Sequence, residues 1–120
     1  MTNPTFFFDT YAFFELIRKN AKYEPYKDAN AITTQFNIAE FNYALQRDNK
    51  PYAETVTRHR AKSVVEITID DIITAMTFRL QNKKLSIPDV IGYTVAKRHG
   101  VKFLTGDKEF EQMKNVEFVR

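Results

Sequence analysis

Short apolar runs alternate with longer stretches of helical periodicity along the 120 residues of this chain. The runs are rich in Phe, Val and Ile and are bounded by Pro, Gly or Asp, a pattern typical of buried strands. The sequence therefore predicts five strands, at residues 5–9, 31–34, 64–69, 101–105 and 116–119.

The stretches between these runs repeat apolar side chains every three or four residues, which is the period of an amphipathic helix. Asn37 and Ser86 are favourable N-cap residues for two of them, and Gly100 is a typical helix stop. The pattern predicts helices at residues 11–19, 37–47, 51–62, 70–81 and 87–99, with short turns at 23–27 and 107–113.

Strands and helices alternate over the whole sequence. Such alternation favours a mainly parallel sheet of about five strands flanked by helices, because parallel strands need a crossover connection. A length of 120 residues suits one domain, so residues 1–120 are interpreted as a single α/β domain.

Composition narrows the classes of function. The chain has no cysteine, which excludes disulfides and thiolate zinc sites and suits a reducing, cytoplasmic location. No apolar run approaches the ~18 residues of a membrane span, so no membrane partner is expected. The net charge is only +3, yet basic residues cluster at 58–62, 83–84 and 97–99. These clusters fit either a phosphate backbone or ordinary solvated helix faces.

Four acidic residues stand where one predicted element gives way to the next. Asp9 and Asp107 follow apolar strands, and Glu40 and Asp89 lie near the starts of two helices. The carboxyl ends of parallel strands and the adjoining helix starts face one crevice. Four carboxylates gathered there would hold a hard divalent cation, Mg²⁺ or Mn²⁺, which indicates an enzyme acting on phosphate esters.

Each of these acids also has a purely structural interpretation. Asp9 and Asp107 can be N-caps, whereas Glu40 and Asp89 each follow a cap residue by three positions, as in a capping box. Taken together, caps crowded into one crevice would repel, at roughly 4 kcal/mol for two charges about 4 Å apart. A cation reverses the sign of that energy, and one carboxylate can serve both roles.

Small residues accompany the acids. Thr10 and Thr105 can bond the carboxylates, orient metal-bound water or cap helices. Gly92 and Ala96 share a helix face with Asp89, where small side chains let the helix approach the sheet closely.

These residues resemble a PIN domain, and more narrowly the toxin-type PIN ribonucleases of toxin–antitoxin systems. The resemblance covers the full length. It is carried by Phe8-Asp9-Thr10, by Ile38-Ala39-Glu40-Phe41, and most specifically by residues 86–110. That last stretch contains the third-acid helix, a glycine, a strand and the Thr105-Gly106-Asp107-Lys108-Glu109-Phe110 motif.

The resemblance implies a three-layer α/β/α fold and a Mg²⁺- or Mn²⁺-dependent endoribonuclease. Asp9, Glu40, Asp89 and Asp107 would be both catalytic residues and metal ligands, and Thr10 and Thr105 would support them. Lys108, Arg98 and Tyr11 are candidate RNA contacts. Tyr11 also departs from the family, which commonly has a small polar residue there, so it affects substrate fit.

The resemblance further implies a cognate antitoxin and a homodimer. An antitoxin would lay an apolar helix or strand in a groove for which Tyr11, Phe14 and Tyr43 are candidates, although such aromatic stripes are more often core. Single-stranded or looped RNA is the expected substrate, because unstacked nucleotides enter a narrow pocket.

Three other functions compete with this interpretation. A PIN-like module that binds RNA without cutting it stays the main alternative. A receiver-type phosphoacceptor needs an acidic pair at the first strand and a late lysine, where this chain has Phe8-Asp9-Thr10 and Thr105. A dehalogenase-type phosphatase needs Asp-x-Asp, and Tyr11 occupies the second position.

Overall fold

The computed structural model describes residues 3–120. Within that range four strands form one sheet in the order β2, β1, β3, β4, and every neighbouring pair is parallel. The strands are β1 (Thr5–Phe8), β2 (Asn30–Ile32), β3 (Lys102–Thr105) and β4 (Val116–Phe118). The predicted α/β fold with a parallel, helix-flanked sheet is confirmed, with four strands in place of about five.

Helices connect the strands. They are α1 (Thr10–Ile17), α2 (Gln35–Arg47), α3 (Ala53–Ala61), α4 (Ile69–Gln81) and α5 (Ile87–Arg98), with 3₁₀ turns at Ala21–Tyr26 and Lys108–Phe110. Among the described residues no helix is long and apolar enough to cross a bilayer.

The core lies on both faces of the sheet, which gives three layers. Consecutive strand residues face opposite sides, so Phe7 and Phe8 enter different clusters. Phe7 and Phe103 pack with residues of α4 and α5, and their rings stack at 5.2 Å between centroids. Phe8 and Leu104 pack with residues of α1, α2 and α3.

The predicted strand at residues 64–69 is wrong. Only Val64 bridges to the sheet, through a single parallel contact with Thr33. The β-branched run is interrupted because Thr68 forms a capping box with Asp71, which starts α4 at Ile69. Two neighbouring hydrogen bonds at the helix start outweigh the strand preference of Ile67 and Ile69.

The predicted N-cap of α2 is also wrong. Thr34 caps this helix, and its hydroxyl accepts from the backbone N–H of Asn37. Asn37 lies inside the first turn with its side chain buried, and Glu40 lies one turn further on. The capping-box interpretation of Glu40 therefore fails, since Asn37 is not the cap.

Gly92 sets the distance between α5 and the sheet. A methyl group placed on it would lie 2.9 Å from Cζ of Phe7 and 3.2 Å from Cε1 of Phe103. Any other residue would push the helix away from the sheet, so the predicted packing role of this small residue is confirmed. Ala96, one turn later on the same helix, is fully buried.

The strand order creates a crevice between β1 and β3. From β1 the chain passes through α1 to β2 on one side, whereas β3 returns to the opposite side of β1. This is a topological switch point, where the loops after neighbouring parallel strands diverge and leave space for a ligand. Asp9 follows β1 and Asp107 follows β3 by two residues, so both acids lie at this edge.

Candidate metal centre

Asp9 is the buried acid of the crevice. Only 5% of its surface is exposed, and its backbone N–H donates to the carbonyl of Leu104 at 3.2 Å, which fixes it to β3. Asp9 occupies the N-cap position of α1, yet its carboxylate makes no capping hydrogen bond to that helix. Helix capping therefore does not explain the position of the Asp9 carboxylate in the crevice.

Two neutral side chains hold the Asp9 carboxylate. Thr105 Oγ1 donates to Oδ2 at 2.8 Å, and Asn37 Nδ2 donates to Oδ1 at 3.3 Å. Both donors come from elements distant in sequence, the end of β3 and the first turn of α2. They fix the carboxylate without neutralising it, since neither carries a charge.

Glu40 is linked to the same network through Thr10. The Thr10 hydroxyl donates to Glu40 Oε1 at 3.1 Å and accepts from Asn37 Nδ2 at 3.1 Å. Glu40 lies in the second turn of α2 and is exposed at the mouth of the crevice.

Asp89 combines a structural and an electrostatic role. It forms the predicted capping box with Ser86: its Oδ2 accepts from the Ser86 N–H at 2.9 Å, and Ser86 Oγ accepts from the Asp89 N–H at 3.2 Å. The cap uses Oδ2, so the second oxygen is the one a cation would take.

Asp107 caps the 3₁₀ turn that follows β3. Its Oδ1 accepts from the Glu109 N–H at 3.0 Å, and its own N–H donates to Thr105 Oγ1 at 3.1 Å. Thr105 thus contacts both the Asp9 carboxylate and the backbone of Asp107. Both threonines predicted to support the acids bond to them or to their backbone.

The carboxylates act on one another. Burial, followed by the charge of Asp89 and with a smaller effect of Glu40, raises the pKa of Asp9 from 3.8 to about 7. Burial raises the pKa of Asp89, with Asp107 and Glu109 adding to the effect. Burial also raises the pKa of Glu40, assisted by Asp89. Asp9, Glu40 and Asp89 therefore act on one another, and Asp107 acts on Asp89.

The family model of the PIN domain matches residues 6–116. The chain belongs to the PIN domain family. The matched range runs from β1 to β4 and contains all four predicted site acids. The resemblance inferred from the sequence is thereby confirmed.

Solved structures share this PIN fold. One, a toxin-antitoxin complex from Klebsiella pneumoniae, aligns with a TM-score of 0.76 at 17% identity, covering 92% of this chain and 94% of the other. A crystal structure of a protein from Pyrobaculum aerophilum aligns at 0.68 with 18% identity, covering 97% and 90%. A comparison with curated proteins gives no significant match. At such identities the likeness establishes the fold.

The charge of a fifth acid acts on Asp89. Glu109 adds to the field that raises the pKa of Asp89, and it lies in the turn capped by Asp107. Its position two residues after Asp107 was visible in the sequence motif, but it had no role there beyond marking the motif. Asn37 was also missed as a site residue, because a helix cap was sufficient to explain it.

The donor set fits a hard divalent cation in chemistry and charge. Carboxylate oxygens are the ligands that Mg²⁺ and Mn²⁺ prefer, and burial, followed by the charge of Asp89, raises the pKa of Asp9, so an uncompensated negative charge there is unfavourable. Within residues 3–120, however, no three His, Asp or Glu side chains already converge on a point that would enclose an ion. The residues fit the cation in kind.

Of the three candidate RNA contacts, two lie near the acids and one does not. The Tyr11 ring covers Gly106, where a methyl group would come within 2.3 Å of its Cε1, so Tyr11 lies beside the Asp107 loop. Lys108 is exposed in the 3₁₀ turn next to Asp107. Arg98 lies at the other end of α5 from Asp89, roughly 13 Å along the helix. Its guanidinium donates to both oxygens of Asp71, at 2.8 and 2.9 Å, so the structure does not bring it to the acids.

Proposed function

We propose that this PIN domain is a Mg²⁺- or Mn²⁺-dependent endoribonuclease, the toxin of a toxin–antitoxin pair. The observation that carries the proposal is the buried Asp9 at the β1–β3 switch point, crowded by other carboxylates. A group in that position favours a cation at neutral pH. Family membership supports a nuclease, and the fold of the Klebsiella toxin-antitoxin complex supports a toxin.

Asp9, Glu40, Asp89 and Asp107 would hold the cation. When bound, it would lower the pKa of water, neutralise the scissile phosphate and stabilise the leaving oxygen. Thr105 and Thr10 orient two of the carboxylates by the hydrogen bonds described above. Asp107 or Asp89 would orient the attacking water through a carboxylate oxygen.

The RNA would approach over the exposed side of the acids. Lys108 lies beside Asp107 and can contact phosphate, and the Tyr11 ring at the crevice edge can stack on an unpaired base. The crevice lies between two loops, which favours single-stranded RNA over a duplex. Arg98 has no comparable support, since it is engaged by Asp71.

A homodimer would use the exposed face of α4. Ile69, Ile73 and Leu80 are 71, 59 and 68% exposed, and Ile73 and Leu80 line a groove of about 730 Å³. In an antiparallel two-fold contact, Ile73 of one copy would meet Leu80 of the other, so this apolar stripe can pair with itself. This favours a second copy of the chain over an antitoxin at this site.

The test is cleavage of total RNA by the purified chain with Mn²⁺ or Mg²⁺, next to Asp89→Asn. Asparagine keeps an oxygen for the Ser86 N–H, so the variant should stay folded while cleavage falls by about 100-fold or more, because a charged ligand is lost. Asp48→Asn is the matched control, being exposed and paired with Arg47 at the end of α2. Full activity of folded Asp89→Asn would exclude this site as the catalytic centre. RNA binding without cleavage in either metal would favour the non-cleaving alternative.

A further inference from the structure

Asn37 is a polar residue on an apolar helix face. It shares that face of α2 with Phe41 and Leu45, at the fourth and eighth positions after it, and only 1% of its surface is exposed. An amide in such a place is costly unless its donors and acceptor are all satisfied. The hydrogen bonds of the Asn37 amide must therefore compensate for the cost of burying it.

The orientation of the Asn37 amide is fixed by Thr34. The Thr34 hydroxyl accepts from the Asn37 backbone N–H, so its own proton is directed to Asn37 Oδ1, at 2.7 Å. The amide oxygen therefore faces Thr34 and the amide nitrogen faces the acids. The orientation follows from the hydrogen-bond network.

Both N–H groups of that nitrogen are used. One donates to Asp9 Oδ1 at 3.3 Å and the other to Thr10 Oγ1 at 3.1 Å. Because Thr10 in turn donates to Glu40, one neutral side chain orients two of the acids. A lysine in its place would neutralise Asp9, and a carboxylate would repel it.

We infer that Asn37 is a positioning residue of the metal centre, which holds Asp9 directly and Glu40 through Thr10 in the orientation that receives a divalent cation. The inference rests on the proposed metal-dependent function. Asn37 does not touch the cation; it acts by preventing rotation of the Asp9 carboxylate, whose other oxygen is held by Thr105. Loss of such an outer partner typically weakens metal affinity by about 10–100-fold.

The test measures Mn²⁺ affinity by calorimetry or by electron paramagnetic resonance, without RNA. Asn37→Ala should bind Mn²⁺ at least about 10-fold more weakly than the wild type. Asn42→Ala is the matched control: the same residue type on the same helix, whose amide donates to Thr57 Oγ1 at 3.0 Å and makes no bond to the acids. Asn42→Ala should lose some stability and keep its Mn²⁺ affinity.

A second variant guards against misfolding. Asn37→Ser keeps a polar group but is too short to reach Asp9, and it should show the same loss of Mn²⁺ affinity with a melting temperature near that of Asn42→Ala. Wild-type affinity in both Asn37 variants would overturn the inference, as would a wild type that binds no Mn²⁺. If the wild type binds Mn²⁺, the Asn37 variants do not, and no RNA is cut, the nuclease proposal fails while the inference stands.

Discussion

At the scale of single residues, the Asp9 carboxyl is the group with the largest consequence for stability. In the metal-free protein its pKa is raised from 3.8 to about 7, so between those values the native state keeps a proton that the unfolded chain has released. The free energy of unfolding must then fall as pH rises from about 4 to 7, by roughly 4 kcal/mol when fully expressed. Asp89 and Glu40, whose pKa values are also raised, contribute with the same sign.

Urea unfolding in EDTA at several pH values checks this expectation. Asp9→Asn should flatten the pH dependence, because it removes the group that titrates. Mn²⁺ should restore stability to the wild type at pH 7 and above, since a cation favours the ionised carboxylate. Identical slopes for the wild type and Asp9→Asn would contradict the assignment.

The sequence was sufficient to place the four acids but not their partners. Their positions after strands and at helix starts are local features, and the switch point brings Asp9 and Asp107 to the same edge of the sheet. Thr34 and Asn37, three residues apart, are both favourable caps, and propensity alone does not choose between them. The choice is made by a contact between Asn37 and Asp9, 28 residues apart, which no local pattern contains.

At the scale of elements, the main error was the strand predicted at residues 64–69. Five of its six residues have a high strand propensity. Thr68 and Asp71, however, lie at the spacing of a capping box, and α4 begins at Ile69. Helix and strand preferences overlapped there, and reciprocal hydrogen bonds decided the outcome. The Asp71 carboxylate that starts α4 also anchors Arg98 of α5, so one residue fixes both helices.

The close approach of α5 to the sheet predicts the effect of Gly92→Ala. The added methyl group would lie 2.9 Å from Phe7 Cζ, and the ring is surrounded by the core, so the substitution should cost about 1–3 kcal/mol of stability despite the better helix propensity of alanine. Chemical denaturation measures the loss.

Phe7→Leu provides the control in a double-mutant cycle. If the clash with Phe7 is the cause, the two substitutions together should cost less than the sum of each alone. A stabilised Gly92→Ala protein, or strict additivity, would exclude the clash.

At the scale of the whole molecule, the exposed stripe on α4 predicts a dimer that a single charge disrupts. Ile73→Asp should yield a monomer by light scattering at concentrations where the wild type is dimeric, because an unpaired carboxylate would be buried between the two copies. Its own fold should be nearly unaffected, since Ile73 is 59% exposed in one copy. Tyr43→Asp, at a 66% exposed position on α2, should stay dimeric. A monomeric wild type, or an Ile73→Asp variant that is still a dimer, would exclude the exposed face of α4 as a dimer interface.

The acids differ in their structural roles, and this difference predicts the order in which they would be lost if selection for cleavage ended. Asp89 and Asp107 each accept a hydrogen bond from a backbone N–H at the start of a helix or turn. A descendant protein that is no longer selected for RNA cleavage would still need both residues for folding. The Asp9 carboxylate caps no helix. Because it is buried and lies near other carboxylates, it lowers the stability of the folded protein when no cation is bound. In a chain that has drifted away from catalysis, Asp9 should be the first of the acids to disappear.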